Sequence, residues 1–208
     1  MAPSDGPTPA PPSRGLLVSA QVRLLRLRAE EWNLTAAGGG ASDLRIGVIG
    51  FSAGGHLASL AATPADDKGG DKLDAACLIY PVISMIAPLA HELSKAMLLG
   101  PDPLPEAVAA GSSHTRVRPG MPPVFLVHTT ADERVPVRHS LMFAAALAEA
   151  SVPFELHVYE NGMHGIGLGL GGAAYVPGET LVGALHPWTR EAATFLSRHG
   201  FGAVLAEL

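Results

Sequence analysis

The most constraining feature of this chain is an abrupt junction. A short β-branched run, R-I-G-V-I-G (residues 45–50), passes almost directly into S-A-G-G-H-L-A-S-L-A-A (residues 52–62). The first run, bounded by turn residues, reads as a strand expected to be buried on both faces. The second reads as a helix that packs closely through its small residues. A chain that goes from strand to helix at Gly50-Phe51-Ser52-Ala53-Gly54 must turn within a few residues, and glycines at positions 50 and 54 are expected where side chains would collide. Ser52 is thereby presented above the sheet at a helix N-terminus. A serine that merely caps the helix at a glycine-tightened junction is the other reading of these five residues.

Similar short runs recur along the chain. Residues 75–80, 124–129 and 154–159 each read as a buried strand, and residues 141–150 as a short apolar helix between the last two. Residues 190–199 read as a C-terminal helix with Phe195 and Leu196 inward. Leu17, Leu24, Leu25 and Leu27 among arginines and glutamates suggest an amphipathic helix over residues 16–32. Strand and helix alternating with short links predict an α/β fold, a mostly parallel sheet flanked by helices. Residues 81–123 are longer and irregular, with Pro88, Pro101, Pro103 and Pro105, as a lid or the side of a binding pocket would be. Residues 1–15 carry five prolines and read as a disordered arm; residues 16–208 form the single expected domain.

Composition narrows the functional classes. Apolar residues make up 48% of the chain and charged residues 16%, which closes the high-charge route to disorder and favours a packed core. A formal net charge of −5 argues against a nucleic-acid partner. The single Cys77 excludes an internal disulfide framework and a multi-cysteine zinc site, and no His-x-x-x-His pair suggests a metal. No cofactor is expected. No apolar run approaches the length of a membrane span, and no apolar segment follows a basic start as in a secretory signal, so cytoplasmic is the default expectation for location.

Chemistry enters through Ser52. A serine alcohol is a weak nucleophile that needs a general base, which in turn needs a carboxylate to orient it. Asp132 falls just past the strand 124–129, in T-T-A-D-E-R-V-P, and His164 just past the strand 154–159, in E-N-G-M-H-G. Ser52, Asp132 and His164 therefore sit on loops after three strands, at the carboxyl end of the expected sheet, where such sites lie. Glu133 adjoins Asp132 as the competing carboxylate. The N–H of Ala53, the residue after the serine, points to where an oxyanion would form. His56 reads as a packing or pocket-wall residue, His128 sits inside a strand, and His139, His157 and His199 read as structural or exposed.

The segments I-G-V-I-G-F-S-A-G-G-H-L-A, L-I-Y-P-V-I, P-P-V-F-L-V-H-T-T-A-D-E-R-V-P-V and V-P-F-E-L-H-V-Y-E-N-G-M-H-G-I-G-L resemble α/β-hydrolases. The nearest group is the acetyl xylan and feruloyl esterase-like set, similar also to dienelactone hydrolases and the prolyl oligopeptidase catalytic domain. The resemblance runs from about residue 16 to residue 170. It implies Ser52 as nucleophile, Asp132 as orienter, His164 as general base and Ala53 N–H as one oxyanion donor. The implied activity is hydrolysis of carboxylic esters, short-acyl or carbohydrate acetyl, through an acyl-enzyme, with a small-molecule or carbohydrate ester as the substrate.

Against that family, strands ahead of residue 16 are missing, together with the glycine-rich loop that supplies a second oxyanion donor. Gly38-Gly39-Gly40 cannot replace it, because a strand of about six residues at about 3.3 Å per residue puts them roughly 20 Å from Ser52. The expectation is thus a partial α/β-hydrolase fold, N-terminally truncated relative to the family. The strand 45–50 would present an unpaired edge open to self-association. A catalytically impaired, ligand-binding protein is the alternative function. Peptide or thioester cleavage would use the same machinery, and the sequence does not separate these substrates.

Overall fold

The structure, a computed structural model, describes residues 14–34, 43–63, 72–169 and 185–202. The Pro-rich arm and Gly38-Gly39-Gly40 lie outside these residues, apart from Arg14 and Gly15, with which the first helix begins. In chain order the elements are α1 (Arg14–Leu27), β1 (Gly47–Phe51), α2 (Ala53–Ala62), β2 (Ala75–Ile79), α3 (Glu92–Leu99), α4 (Pro105–Ala110), β3 (Val124–Thr129), α5 (Arg138–Glu149), β4 (Phe154–Tyr159) and α6 (Trp188–Arg198). A 3-10 turn, Ser113–Arg116, precedes β3.

The four strands form one parallel sheet in the order β1-β2-β3-β4. Alternation along the central strands distributes the core to two faces. Ala76, Leu78, Val124 and Leu126 pack with Val22 of α1, Ala58 and Ala62 of α2, and Phe143 and Leu147 of α5. Ala75, Cys77, Ile79, Phe125 and Val127 pack on the other face with Trp188, Ala192 and Phe195 of α6. Both β2 and β3 are buried on both faces, as their near-continuous apolar runs predict.

The outer strands depart from that expectation. Ile49, paired with Cys77 on the α6 face, is 54% exposed, because α6 lies over the middle of the sheet and leaves β1 partly uncovered. β4 is likewise only half-buried, with Val158 exposed. It carries Glu155, which pairs with Arg198 of α6, a charge on an edge of the kind that blunts strand pairing. In α1 the inward stripe is Val18, Val22 and Leu25, while Leu24 and Leu27 of the leucine set face outward. Helix α5 begins at Arg138, ahead of the apolar run that suggested it, and its first turn carries buried His139 and Ser140. Among the described residues no helix is long and apolar enough to cross a membrane.

The stretch 81–123, expected to be irregular, carries α3, α4 and the 3-10 turn, and hydrogen bonds tie it to itself and to α2. Met85 N–H donates to Ser112 Oγ at 2.9 Å, and Ser113 N–H to Ile83 O at 3.1 Å. His56 Nε2–H donates to Gly111 O at 2.7 Å, and the hydroxyls of Ser59 and Ser113 share a 2.8 Å hydrogen bond. Ile83, Ser84, Met85, Ser112 and Ser113 are all buried, whereas α3 and α4 have no buried residue.

Candidate active site

The site is assembled at the carboxyl end of the sheet, where loops leave β1, β3 and β4. Ser52 follows β1 with φ 53° and ψ −118°, a left-handed conformation that a non-glycine residue adopts at a cost of about 1–3 kcal/mol. Its backbone is held on both sides: Ser52 N–H donates to Ile79 O at 3.0 Å, and its carbonyl accepts from Val82 at 3.2 Å and His56 at 3.1 Å. Over-determined in this way, the strained residue stays put and its hydroxyl stands clear of the turn.

The glycines around it do different jobs. A Cβ on Gly50 would lie 2.3 Å from Gly54 O and 2.8 Å from Ala58 Cβ, and one on Gly55 would lie 2.8 Å from Pro81 Cβ. A Cβ on Gly54 would meet nothing within 4 Å. The steric reading of Gly50 therefore agrees with the structure and that of Gly54 does not. Gly55, where α2 crosses the chain leaving β2, is the second position that a side chain would jam.

Ser52 Oγ lies 2.7 Å from His164 Nε2, and His164 Nδ1 lies 2.7 Å from Asp132 Oδ2. With the carboxylate accepting, Nδ1 carries the ring proton and Nε2 offers its lone pair to the serine hydroxyl. Asp132 Oδ1 accepts from the backbone N–H groups of Arg134 at 3.0 Å and Val135 at 2.9 Å. Burial alone would raise the Asp132 pKa, but hydrogen bonds from His128, His164 and Val135 outweigh it and hold the carboxyl well below the usual range. The acid stays ionised while its side chain is 1% exposed. Glu133 is exposed and points elsewhere, so the structure joins Asp132 rather than its neighbour to His164.

Ala53 is the first residue of α2, so its N–H has no acceptor within the helix and lies beside Ser52. The His164 loop is pinned from below. Thr129 Oγ1 donates to Gly162 O at 2.6 Å, Gly167 N–H donates to Tyr80 Oη at 3.2 Å, and Trp188 Nε1–H donates to Gly167 O at 3.0 Å. Gly162, at φ 129°, has no room for a Cβ against Ile166 and Thr129. The Tyr80 ring sits edge-on to His164 with centroids 5.1 Å apart. Among the described residues no cluster of His, Cys, Asp and Glu could hold a metal ion. Burial pushes the Cys77 thiol up to about 12 and leaves it inert.

The chain has counterparts among known proteins. A model of the prolyl oligopeptidase family matches residues 32–172. The chain belongs to the prolyl oligopeptidase family. Its fold is a partial α/β-hydrolase fold. The chain is 32% identical over 158 residues to endo-1,4-beta-xylanase B of Butyrivibrio fibrisolvens, and 31% identical over 151 residues to the acetylxylan esterase of Xylanibacter ruminicola. These alignments take in 72% and 71% of this chain but only 24% and 30% of the relatives' own lengths. The acetyl ester-xyloside bifunctional hydrolase from Caldicellulosiruptor lactoaceticus superimposes with a TM-score of 0.74 at 39% identity, over 95% of this chain and 69% of that one. The carboxylesterase Cest-2923 from Lactobacillus plantarum shares the fold, with a TM-score of 0.71 at 23% identity over 95% of this chain and 71% of that one.

Several contributors to the site were not singled out from the sequence. Tyr80, Thr129 and Trp188 hold the His164 loop. Tyr80 directly follows β2 and Thr129 ends β3, on the side where the site lies, and that position is the signal that could have found them. Trp188 gave no such signal, since only the packing of α6 against Phe51 and Gly167 brings it there.

Proposed function

We propose that this prolyl oligopeptidase-family chain is the catalytic part of a serine esterase that removes short acyl groups, with carbohydrate-bound acetyl as the favoured class. The carrying observation is the unbroken hydrogen-bonded line Ser52–His164–Asp132, with the serine held in the strained elbow conformation. In this reading Ser52 Oγ attacks the ester carbonyl as His164 Nε2 takes its proton, and Asp132 stabilises the resulting imidazolium. Ala53 N–H, free at the head of α2, receives the oxyanion. His164 then passes its proton to the departing alcohol, leaving Ser52 acylated. Water attacks this acyl-enzyme with the roles of His164 reversed, which releases the acid and restores the serine. The substrate class is supported by the acetylxylan esterase and the acetyl ester-xyloside hydrolase among the similar proteins.

The test pairs p-nitrophenyl acetate and acetylated xylo-oligosaccharide hydrolysis with fluorophosphonate labelling of the purified protein. Acetate release together with labelling that maps to Ser52 is the expected result. Cleavage of prolyl peptides in preference to acetyl esters would overturn the ester reading, and failure of Ser52 to label would overturn the mechanism.

A further inference from the structure

His128 is a fully buried histidine one strand residue from the end of β3, and nothing in the reaction as described uses it. Its ring is nevertheless bound at both nitrogens. Nε2 lies 2.8 Å from Val135 O, a group that can only accept, so Nε2 carries the proton. Nδ1 lies 2.7 Å from Ser140 Oγ, so in the neutral ring the serine hydroxyl donates to it. The same Nε2–H edge faces Asp132 Oδ2 at 3.5 Å, the oxygen that receives His164 Nδ1–H.

Val135 closes the loop. Its N–H donates to Asp132 Oδ1 while its carbonyl accepts from His128, so the valine backbone bridges the acid and the histidine, and the 3.5 Å approach of Nε2 to Asp132 Oδ2 closes the ring. Ser140, itself fully buried on α5, can donate to Nδ1 and so matches the tautomer that the Val135 carbonyl selects. With the other tautomer, Nε2 would present a lone pair to both the Val135 carbonyl and the Asp132 carboxylate, and two repulsive contacts would replace two attractive ones.

We infer that His128 is a positioning residue for Asp132, and that Ser140 holds its ring in place: together they aim the carboxylate at His164 and keep the loop Asp132–Arg134–Val135 closed around it. This rests on the reading of Ser52, His164 and Asp132 as the catalytic set. The physical reason is leverage. The carboxylate sits on a loop, and a displacement of about 1 Å at a catalytic group costs on the order of 10² in rate. Two backbone N–H donors fix Asp132 Oδ1, whereas the Oδ2 side depends on His164, the group being oriented, and on His128.

The experiment compares wild type, His128→Leu, His128→Gln and Ser140→Ala by steady-state kinetics and by the far-downfield proton resonance of His164 Nδ1–H. Glutamine places an amide N–H near the position of imidazole Nε2, whereas leucine keeps the volume without a donor. The expected outcome is a fall in kcat on the order of 10² for His128→Leu, a smaller fall for Ser140→Ala, and recovery of most of kcat in His128→Gln, all with KM near wild type. The resonance is expected to move upfield or vanish in His128→Leu and to persist in His128→Gln. A folded His128→Leu protein with wild-type kcat and an unmoved resonance overturns the inference, as does a loss confined to KM. Should His128→Leu fail to fold, an unmoved resonance in Ser140→Ala overturns it instead. If wild type hydrolyses no ester, the proposed function falls, yet the resonance still decides the role of His128.

Discussion

Ser52 and Ile79 share a 3.0 Å hydrogen bond, Ser52 N–H to Ile79 O, so the residue at the tip of the elbow is still a rung of the ladder between β1 and β2. The ladder thus reaches one residue past β1 and holds Ser52 at φ 53° against its own preference. Ser52→Gly should relieve that strain and raise the unfolding free energy by about 1 kcal/mol, after the extra chain entropy of glycine is set against it. Turnover should vanish with the hydroxyl. Urea melts of the two proteins check the first statement, and an unchanged or lower midpoint would show that the elbow is not strained.

The three glycines of the elbow should separate cleanly. Gly50→Ala and Gly55→Ala each drive a methyl into backbone or proline, and should cost about 1–3 kcal/mol. Gly54→Ala places its methyl in open space near the start of α2, and should gain up to about 1 kcal/mol from helix propensity. Thermal melts of the three single variants give the order directly.

Asp132→Asn keeps the size of the side chain but replaces an acceptor with a donor opposite His164 Nδ1–H, which favours the wrong tautomer. A fall of about 10⁴ in kcat is expected. Glu133→Gln, at an exposed neighbour, should leave kcat unchanged. A comparable loss in both variants would mean that the loop as a whole, rather than the Asp132 carboxylate, is what matters.

His139 supplies a pH dependence. Its Nδ1 accepts the N–H groups of Ile83 at 3.0 Å and Ser84 at 3.2 Å, and burial, reinforced by the nearby His128, brings its pKa down to about 4. The unfolded chain protonates this ring near pH 6.5 while the folded protein resists, so the unfolded state binds more protons between these values. Stability should therefore fall as pH drops from about 6.5 and level off near 4, by about 3 kcal/mol in all. His139→Asn retains an acceptor for the two N–H groups without the titration. Its melting temperature should change less across that window, and an equally steep decline in the variant would refute the assignment.

The legible parts of the site share one property. Ser52, Asp132 and His164 are each announced within a few residues: a strand, then a turn rich in glycine or proline, then the polar group. The central strands were equally plain, because burial on both faces leaves an uninterrupted apolar run. β1 and β4 carry much the same run yet are partly exposed, since strand composition does not say which strands lie at the edges. The inward face of α1 was not legible for a related reason. Valines and leucines alternate around that helix, and only contact with α2 and the sheet selects Val18, Val22 and Leu25.

By itself, then, the sequence determined the order of the four strands with α2, α5 and α6, the tight corner at Ser52 and the identity of the three groups that meet there, while α3 and α4 fell in a stretch read as irregular. These are local facts, set by turn sterics and by alternation along a strand. What only the tertiary structure decided is how those groups are held. Residues far apart in sequence, Gly111 with His56, Ile83 with His139, Gly167 with Tyr80 and Trp188, meet through single hydrogen bonds. A hydrogen bond leaves no periodic trace in the chain, because one donor and one acceptor suffice for it and either can be a backbone group that every residue carries.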